Sequence, residues 1–177
     1  MKKQKILLLD RDGVINEDNE KYILNEKDLL FIPNSAYAIA KAKKLGFFII
    51  IISNQSAIGR GMLSLQESNR INAKIQKEVK KFGGHIDIFL FCPHTPKKNC
   101  DCRKPKTGLL TMIKERLDLN FSNAIFIGDR LSDAETAFKI GATAMLVKSG
   151  KPLLEIPSKV PVYENLDEAL TRAVYEV

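Results

Sequence analysis

The sequence predicts an α/β fold in which a doubly wound parallel sheet is covered by helices on both faces. Five short apolar segments recur along the chain, and they are rich in branched aliphatic side chains. They are continuous apolar runs without alternation, which is typical of parallel strands buried on both faces. Helical patterns lie between them, and this alternation indicates the fold class. The predicted strands span residues 5–9, 47–52, 86–91, 124–127 and 143–147.

Capping patterns place the predicted helices between these strands. Ser64 with Glu67 forms a capping box ahead of an amphipathic helix that reaches about residue 82. Ser132 with Glu135 forms another box, ahead of a short helix that Gly141 ends. Three further helices are predicted over residues 35–45, 107–117 and 166–175, the first with Asn34 as its cap.

Length and composition predict one globular domain over residues 1–177. A chain of 177 residues with 45% hydrophobic residues can bury one sizeable core but not two. The longest apolar run spans only residues 47–52, far short of a membrane span. The apolar stretch near the N-terminus ends at Asp10, too early for a signal peptide. We therefore expect a cytoplasmic protein with no membrane partner, and we expect it to be a monomer.

The excess of basic residues favours an anionic ligand. The 28 Lys and Arg residues exceed the 21 Asp and Glu residues, and the formal net charge is +7. These basic residues are dispersed along the chain, whereas nucleic-acid-binding proteins concentrate them in a stripe. We expect a small anionic molecule as the partner, and no nucleic acid.

Polar residues follow three of the predicted strands, where a doubly wound sheet binds its ligand. Asp10 and Asp12 follow the first strand, and they would repel unless a cation or a proton lies between them; a simple Asp-Gly turn is the alternative. Ser53 and Asn54 follow the second strand, as an oxyanion-binding pair or an ordinary loop. Asp129 follows the fourth strand and would complete a three-carboxylate Mg²⁺ site if that strand neighbours the first.

The three cysteines cluster with a histidine. Cys92, His94, Cys100 and Cys102 form the pattern C-x-H-x5-C-x-C. Three thiolates and an imidazole make up a closed structural zinc site with no open position for water, and buried free thiols are the alternative. Because two cations, at positions 103 and 104, directly follow the last cysteine, Zn²⁺ would act as a clamp that aims them at the pocket.

Four motifs resemble those of the haloacid dehalogenase (HAD) superfamily of aspartyl-phosphate phosphatases over nearly the whole chain. They are LLLDRDGVIN, IISNQS, RKP and IGDRLSD. With SNQSAIGRG and CPH…CDCRKPKTG, the resemblance narrows to the small branch that contains heptose bisphosphate phosphatases and the histidinol-phosphate phosphatase domain. This resemblance implies a HAD-like Rossmannoid fold with no large cap domain and a zinc-stapled loop.

The resemblance also implies a role for each strand-end residue. Asp10 would be the nucleophile that forms an aspartyl-phosphate, and Asp12 would protonate the leaving alkoxide and then activate water. Ser53 would hydrogen-bond the transferring phosphoryl group, and Lys104 would offset its charge. Asp10, Asp129 and the backbone carbonyl of Asp12 would hold Mg²⁺.

Residues around the pocket would select the substrate, and the long connection over residues 16–33, residues 57–62 and Arg103 would form its rim. Arg60 or Arg103 would bind a second anionic group of the substrate. Asn54 would lie beside the phosphate. Arg130 occupies a position where a lysine is common in the superfamily, so it keeps the charge but changes the hydrogen-bond geometry. Such a rim suits a sugar bisphosphate, such as heptose 1,7-bisphosphate of lipopolysaccharide synthesis, hydrolysed at the 7-phosphate. Histidinol phosphate is the alternative, although its cationic amine suits a basic rim less well. Asp133 is interpreted as a first-turn residue favoured by the helix dipole.

Two interpretations from other classes remain. A zinc-ribbon nucleic-acid module would use Phe91 and the basic residues near the metal, but strand-end carboxylates would repel its phosphates. A catalytically inactive HAD-like scaffold would have no use for the clustered charge. A salt-dependent oligonucleotide shift assay tests the first interpretation, and Mg²⁺-dependent phosphate release tests the second.

Overall fold

A six-stranded sheet organises the chain in the computed structural model, which describes residues 4–154 and 156–175. In chain order its strands are β1 (Lys5–Leu9), β2 (Phe47–Asn54), β3 (Ile88–Cys92), β4 (Ile125–Gly128), β5 (Thr143–Val147) and β6 (Val162–Tyr163). Their spatial order is β3-β2-β1-β4-β5-β6, and each neighbouring pair is parallel. The order reverses at β1, which lies between β2 and β4, so the predicted doubly wound parallel sheet is confirmed.

Both faces of the sheet are buried, which explains the continuous apolar runs. Side chains alternate between the faces, so Leu7 and Leu9 of β1 pack in one apolar layer and Ile6 and Leu8 in the other. The helices of the described chain are α1 (Ser35–Lys44), α2 (Ser56–Gly59), α3 (Leu65–Lys81), α4 (Gly108–Leu117), α5 (Leu131–Ile140) and α6 (Leu166–Tyr175). Helices α1, α3 and α6 cover the first layer, and α4 and α5 cover the second. None of these described helices has the length and apolar character needed to cross a bilayer.

Two predicted helix caps differ in the structure. The carboxylate of Asp133 accepts a hydrogen bond from the backbone N–H of Arg130 (3.1 Å) at the start of α5, so the predicted cap by Ser132 is wrong. The Asp133 carboxylate caps the helix in place of the Ser132 hydroxyl, since both groups can accept a hydrogen bond from a free backbone N–H at the helix start. Asn34 occupies the N-cap position of α1, but its side chain makes no capping hydrogen bond and its backbone φ is 64°.

Strand ends also shift relative to the prediction. β2 continues through Ser53 and Asn54, which pair with Phe91 and Cys92 of β3, so both polar residues belong to the strand and not to a loop. β3 begins at residue 88, and His85 precedes it with a side chain that is 52% exposed, as expected of a surface residue. β6 was not predicted because two residues are too short to show a period.

Candidate active site

The strand ends bring three buried carboxylates together. Asp10 follows β1, and its backbone N–H donates to the carbonyl of Ile127 in β4 at 3.0 Å. Asp129 follows β4, and Asp133 lies in the first turn of α5. Carboxylate oxygens of these three residues lie within 4.8 Å of one another. The sequence predicted the approach of Asp10 and Asp129, but it assigned Asp133 only to the helix dipole.

The Asp12 carboxylate faces a different set of partners. It accepts hydrogen bonds from the Arg11 guanidinium at 3.0 to 3.1 Å, from Nδ2 of Asn16 at 2.9 Å and from Nε2 of Gln55 at 2.8 Å. Burial alone would raise the pKa of Asp12, but Arg11 and the hydrogen bonds outweigh it and hold this pKa below its usual value. The Asp12 side chain is therefore held by donors of the protein.

Burial raises the pKa of two carboxyl groups in the cluster. It raises the pKa of Asp10 to about 8, with Asp133 and Asp129 adding to the rise and Lys104 opposing it. Burial and the nearby Asp133 raise the pKa of Asp129 to about 6. Oδ1 of Asp129 is buried and accepts no hydrogen bond from any described residue, and Nε of Arg130 lies 3.7 Å away. A divalent cation fits this cluster because it would supply the positive charge that the carboxylates need.

Two glycines make room for the Asp129 carboxylate. Gly13 adopts a φ of 84°, and a Cβ atom added at Gly13 or at Gly150 would overlap the Asp129 side chain. The backbone N–H of Lys151 donates to Oδ2 of Asp129 at 3.1 Å. The loops after β1 and β5 therefore close around this carboxylate only because both positions lack a side chain.

Lys104 places a positive charge inside the acidic cluster. Its side chain is 2% exposed, and Nζ lies 2.9 Å from Oδ1 of Asp10 and 2.7 Å from Oδ1 of Asp133. Nζ also donates to the carbonyl of Ile52 at 2.9 Å. Burial alone would lower the pKa of Lys104, but the two carboxylates raise it above its ordinary value, so the group is a cation.

Asn54 ties the Lys104 loop to the end of β2. Its Nδ2 donates to the backbone carbonyl of Lys104, and its Oδ1 accepts from the backbone N–H of the same residue, both at 3.1 Å. The sequence predicted that Asn54 binds substrate. In the structure Asn54 lines the pocket, and both ends of its amide bind the backbone of Lys104, which fixes the position of that residue.

The cysteine cluster converges on one point. Sγ of Cys92 lies 3.5 Å from Sγ of Cys100 and 3.2 Å from Sγ of Cys102, and Nδ1 of His94 lies 3.2 Å from Sγ of Cys102. Tetrahedral zinc holds sulfur ligands at about 2.3 Å from the ion, so a donor set this compact fits it. Arg103 follows directly, and its guanidinium donates to the carbonyl of His94 at 3.1 Å.

Basic side chains line the mouth of the pocket beyond the strand ends. This cavity has a volume of about 430 Å³, and Arg60, Arg103, Arg130 and Lys151 line it. Nη2 of Arg130 lies 2.8 Å from Oδ2 of Asp18, a residue of the connection between β1 and α1. The charge of Arg130 is therefore partly offset within the protein, whereas no described carboxylate forms an ion pair with Arg60 or Arg103.

Arg11, Gln55 and Lys151 line this pocket although the sequence assigned them no role, whereas Asp18 and Tyr22 belong to the connection over residues 16–33 that was expected at its rim. Arg11 and Gln55 stand inside the DRDG and SNQS motifs, so their position beside Asp12 and Ser53 was a usable signal. Lys151 lies in a loop without a motif. Tyr22 adopts a φ of 66°, a conformation that only the folded chain reveals.

Comparisons with known proteins place the chain in a family. A family model described as HAD-hydrolase-like matches residues 101–169. A Pseudomonas putida protein named D-glycero-beta-D-manno-heptose-1,7-bisphosphate 7-phosphatase is 40% identical over 157 residues, which cover 89% of this chain and 90% of the relative. A Pseudomonas aeruginosa protein of the same name is 37% identical over 156 residues, with 88% of each chain covered.

A solved structure agrees with these relatives. The D,D-heptose 1,7-bisphosphate phosphatase of Bordetella bronchiseptica, complexed with magnesium and phosphate, superposes with a TM-score of 0.91 at 29% identity. The superposition covers 98% of this chain and 100% of that one. This chain therefore belongs to the HAD superfamily of phosphatases, in the family of the D-glycero-D-manno-heptose-1,7-bisphosphate 7-phosphatases.

Proposed function

We propose that this protein is a Mg²⁺-dependent phosphatase that removes the 7-phosphate of D-glycero-D-manno-heptose 1,7-bisphosphate through an aspartyl-phosphate on Asp10. The observation that carries the proposal is the buried cluster of Asp10, Lys104 and Asp129 at the strand ends, with Asp12 alongside. The relatives that cover most of the chain carry the name of this activity.

The acidic cluster supports the choice of Mg²⁺. Asp10, Asp129 and the backbone carbonyl of Asp12 would hold the ion, since Mg²⁺ prefers hard oxygen ligands. Burial raises the pKa of Asp10 and of Asp129, and the positive charge of a bound cation would favour the ionised form of both carboxylates. When bound, Mg²⁺ supplies the charge that lets a carboxylate and a phosphate approach each other.

The contacts of Asp10 support its role as the nucleophile. Its Oδ1 accepts a hydrogen bond from the backbone N–H of Arg11 (2.8 Å) and lies against Nζ of Lys104, so both contacts fall on one oxygen. Oδ2 then forms the bond to phosphorus while the bond between phosphorus and the sugar oxygen breaks. Lys104 offsets charge on the nucleophile and the phosphoryl group, and the hydroxyl of Ser53 donates to a phosphoryl oxygen.

Asp12 moves the proton in both steps. It gives a proton to the departing sugar oxygen and later takes one from the water that attacks the aspartyl-phosphate and restores Asp10. The resting Asp12 is ionised, because Arg11 and the hydrogen bonds lower its pKa. The approach of a phosphate dianion would raise that pKa again, since like charge disfavours the ionised form, and this prepares Asp12 as the acid.

The cysteine cluster supports a structural Zn²⁺. Cys92, His94, Cys100 and Cys102 would hold it, and its contribution would be to fix the irregular loop that leads into Lys104. Asn54 holds the same loop from the other side, through the backbone of Lys104. Zn²⁺ would thus act on the reaction only through the position of Lys104 and Arg103.

The rim supports a substrate with two phosphates. Arg60 and Arg103 line the pocket without a carboxylate partner among the described ion pairs, so they are available for a second anionic group. Arg130 is paired with Asp18, which makes it the weaker candidate for that contact. Histidinol phosphate would bring a cation to this basic rim in place of the second anion.

A substrate panel tests the proposal. Phosphate release with Mg²⁺ is compared by kcat/KM for both anomers of heptose 1,7-bisphosphate, fructose 1,6-bisphosphate and histidinol phosphate. We expect a heptose bisphosphate to lead, with the β anomer first because the relatives carry that anomer in their names. Asp10→Asn removes activity, whereas Asp118→Asn, a matched change of an exposed residue after α4, keeps it. If histidinol phosphate leads, the substrate assignment is wrong, and if Asp10→Asn keeps the parent rate, the mechanism is wrong.

A further inference from the structure

Gln55 connects three residues around the reacting phosphate. It follows β2 directly and is 6% exposed. Its Nε2 donates to Oδ2 of Asp12 at 2.8 Å and to Oγ of Ser53 at 3.1 Å, and its Oε1 accepts from Nη2 of Arg11 at 3.0 Å. One amide therefore uses both of its N–H groups and its oxygen on polar partners at the site.

The orientation of this amide is dictated by its neighbours. A guanidinium can only donate hydrogen bonds, and an ionised carboxylate can only accept them. The oxygen of Gln55 must therefore face Arg11, and the NH₂ group must face Asp12 and Ser53. A flipped amide would set its oxygen against the carboxylate and its N–H groups against the guanidinium, so two repulsive contacts exclude it.

This orientation affects the two groups that contact the substrate. Ser53 accepts a hydrogen bond from Gln55, so its own proton must point elsewhere and is available for a phosphoryl oxygen. The Asp12 carboxylate is held between Gln55 on Oδ2 and Asn16 on Oδ1, which leaves it little freedom to rotate. Proton transfer needs a donor that is already aimed at the departing oxygen.

We propose that Gln55 is a positioning residue that aims the Asp12 carboxyl at the leaving sugar oxygen. The inference rests on the proposed function. In the step concerned, the bond between phosphorus and oxygen breaks, its electron pair stays on the sugar oxygen, and the proton of Asp12 moves to that oxygen. Gln55 touches neither the phosphorus nor the leaving group, so its effect depends on how much the leaving group needs that proton.

Two substrates with different leaving groups test this role. A sugar phosphate releases a basic alkoxide that needs the proton, whereas p-nitrophenyl phosphate releases a phenolate that is stable without one. Gln55→Glu keeps the size and the acceptor for Arg11 but loses both donors, and Gln55→Met removes all three contacts. The readout is kcat/KM, which reports the steps up to departure of the leaving group. The alkyl phosphate is whichever member of the panel the parent protein hydrolyses best.

We expect both variants to lose about 100-fold in kcat/KM on the alkyl phosphate, and less than about tenfold on the aryl phosphate. Gln76→Glu is the matched control, because the Gln76 side chain in α3 hydrogen-bonds only the backbone of Ile86 and neither residue lines the pocket. We expect it to keep both rates. The proposal is overturned if Gln55→Glu and Gln55→Met each lose kcat/KM by the same factor on the alkyl and the aryl phosphate, or if they lose none on the alkyl phosphate. If the parent protein leaves heptose bisphosphate intact but hydrolyses another alkyl phosphate, only the substrate assignment fails.

Discussion

Replacing Lys104 with methionine removes a buried cation from between two buried carboxylates. Nζ of Lys104 lies 2.9 Å from Asp10 and 2.7 Å from Asp133, and it donates to the carbonyl of Ile52. Methionine has a similar length, so the substitution leaves the shape of the site nearly unchanged. What changes is the charge, which becomes more negative by one among side chains that are at most 9% exposed.

The structure sets the size of the effect. Breaking a buried ion pair by removing one partner costs about 3–5 kcal/mol. Protonation of Asp10, whose pKa is already raised to about 8, relieves part of this cost at lower pH. At pH 8 without added Mg²⁺ we expect a loss of about 3 kcal/mol in the free energy of unfolding. In a chain of this length, that loss lowers the Tm by roughly 6–12 °C.

The same substitution should have opposite effects on Mg²⁺ binding and on catalysis. Mg²⁺ should bind more tightly, since the neighbouring positive charge is gone, and should recover part of the lost Tm. The kcat for phosphate release should fall about 100- to 1000-fold, because the charge that offsets the transferring phosphoryl group is missing.

Thermal melting with and without Mg²⁺, in buffer that keeps Zn²⁺ bound, measures these effects, and calorimetric titration gives the Mg²⁺ affinity. Lys106→Met is the matched control, because Lys106 is 40% exposed and lies 3.5 Å from Asp101 on the surface. It should shift the free energy of unfolding by no more than about 1 kcal/mol. If Lys104→Met and the parent have the same Tm at pH 8 without Mg²⁺, the buried carboxylates of Asp10 and Asp133 do not need the charge of Lys104 for stability.

Three further predictions follow from the site. Removing Zn²⁺ from the protein and then restoring Mg²⁺ alone should lower kcat and expose residues 92–106 to proteolysis, because the loop that leads into Lys104 is no longer fixed. Full kcat after verified loss of Zn²⁺ would contradict this prediction. Without Mg²⁺ the Tm should fall as the pH rises from about 5 through 8. The pKa of Asp10 and of Asp129 is raised in the folded protein, so these two groups stabilise the fold only while they are protonated. A Tm that rises with pH over this range would contradict the prediction. Gly150→Ala should weaken Mg²⁺ binding at least tenfold, since its methyl group would overlap the Asp129 carboxylate. Gly61→Ala has open space around it and only the backbone strain of a φ of 72°, so it is the control for Mg²⁺ affinity and should keep the parent value. Equal Mg²⁺ affinity of Gly150→Ala and the parent, measured by titration, would show that this contact does not matter.

Local patterns in the sequence predicted most of the fold. The continuous apolar runs predicted parallel strands because a strand buried on both faces has no polar side to alternate with, and β1 and β5 have the predicted bounds. The residue types at the strand ends predicted where Asp10 and Asp129 would meet. Helix caps were less predictable: Ser132 matched a capping pattern, but the carboxylate of Asp133 binds the first free N–H instead.

The tertiary structure decided how these side chains are oriented and which partners they have. Asn54 carries the right chemistry to bind a phosphate, yet its amide holds the backbone of Lys104, which is distant in the chain. Asp133 in α5 and Lys104 in the loop before α4 form an ion pair, and Gln55 joins Asp12 to Ser53. The sequence by itself determined which residues stand at the strand ends, because periodicity and residue chemistry are local properties. Their hydrogen-bond partners depend on which distant segments pack together, and only the folded sheet and its loops establish that.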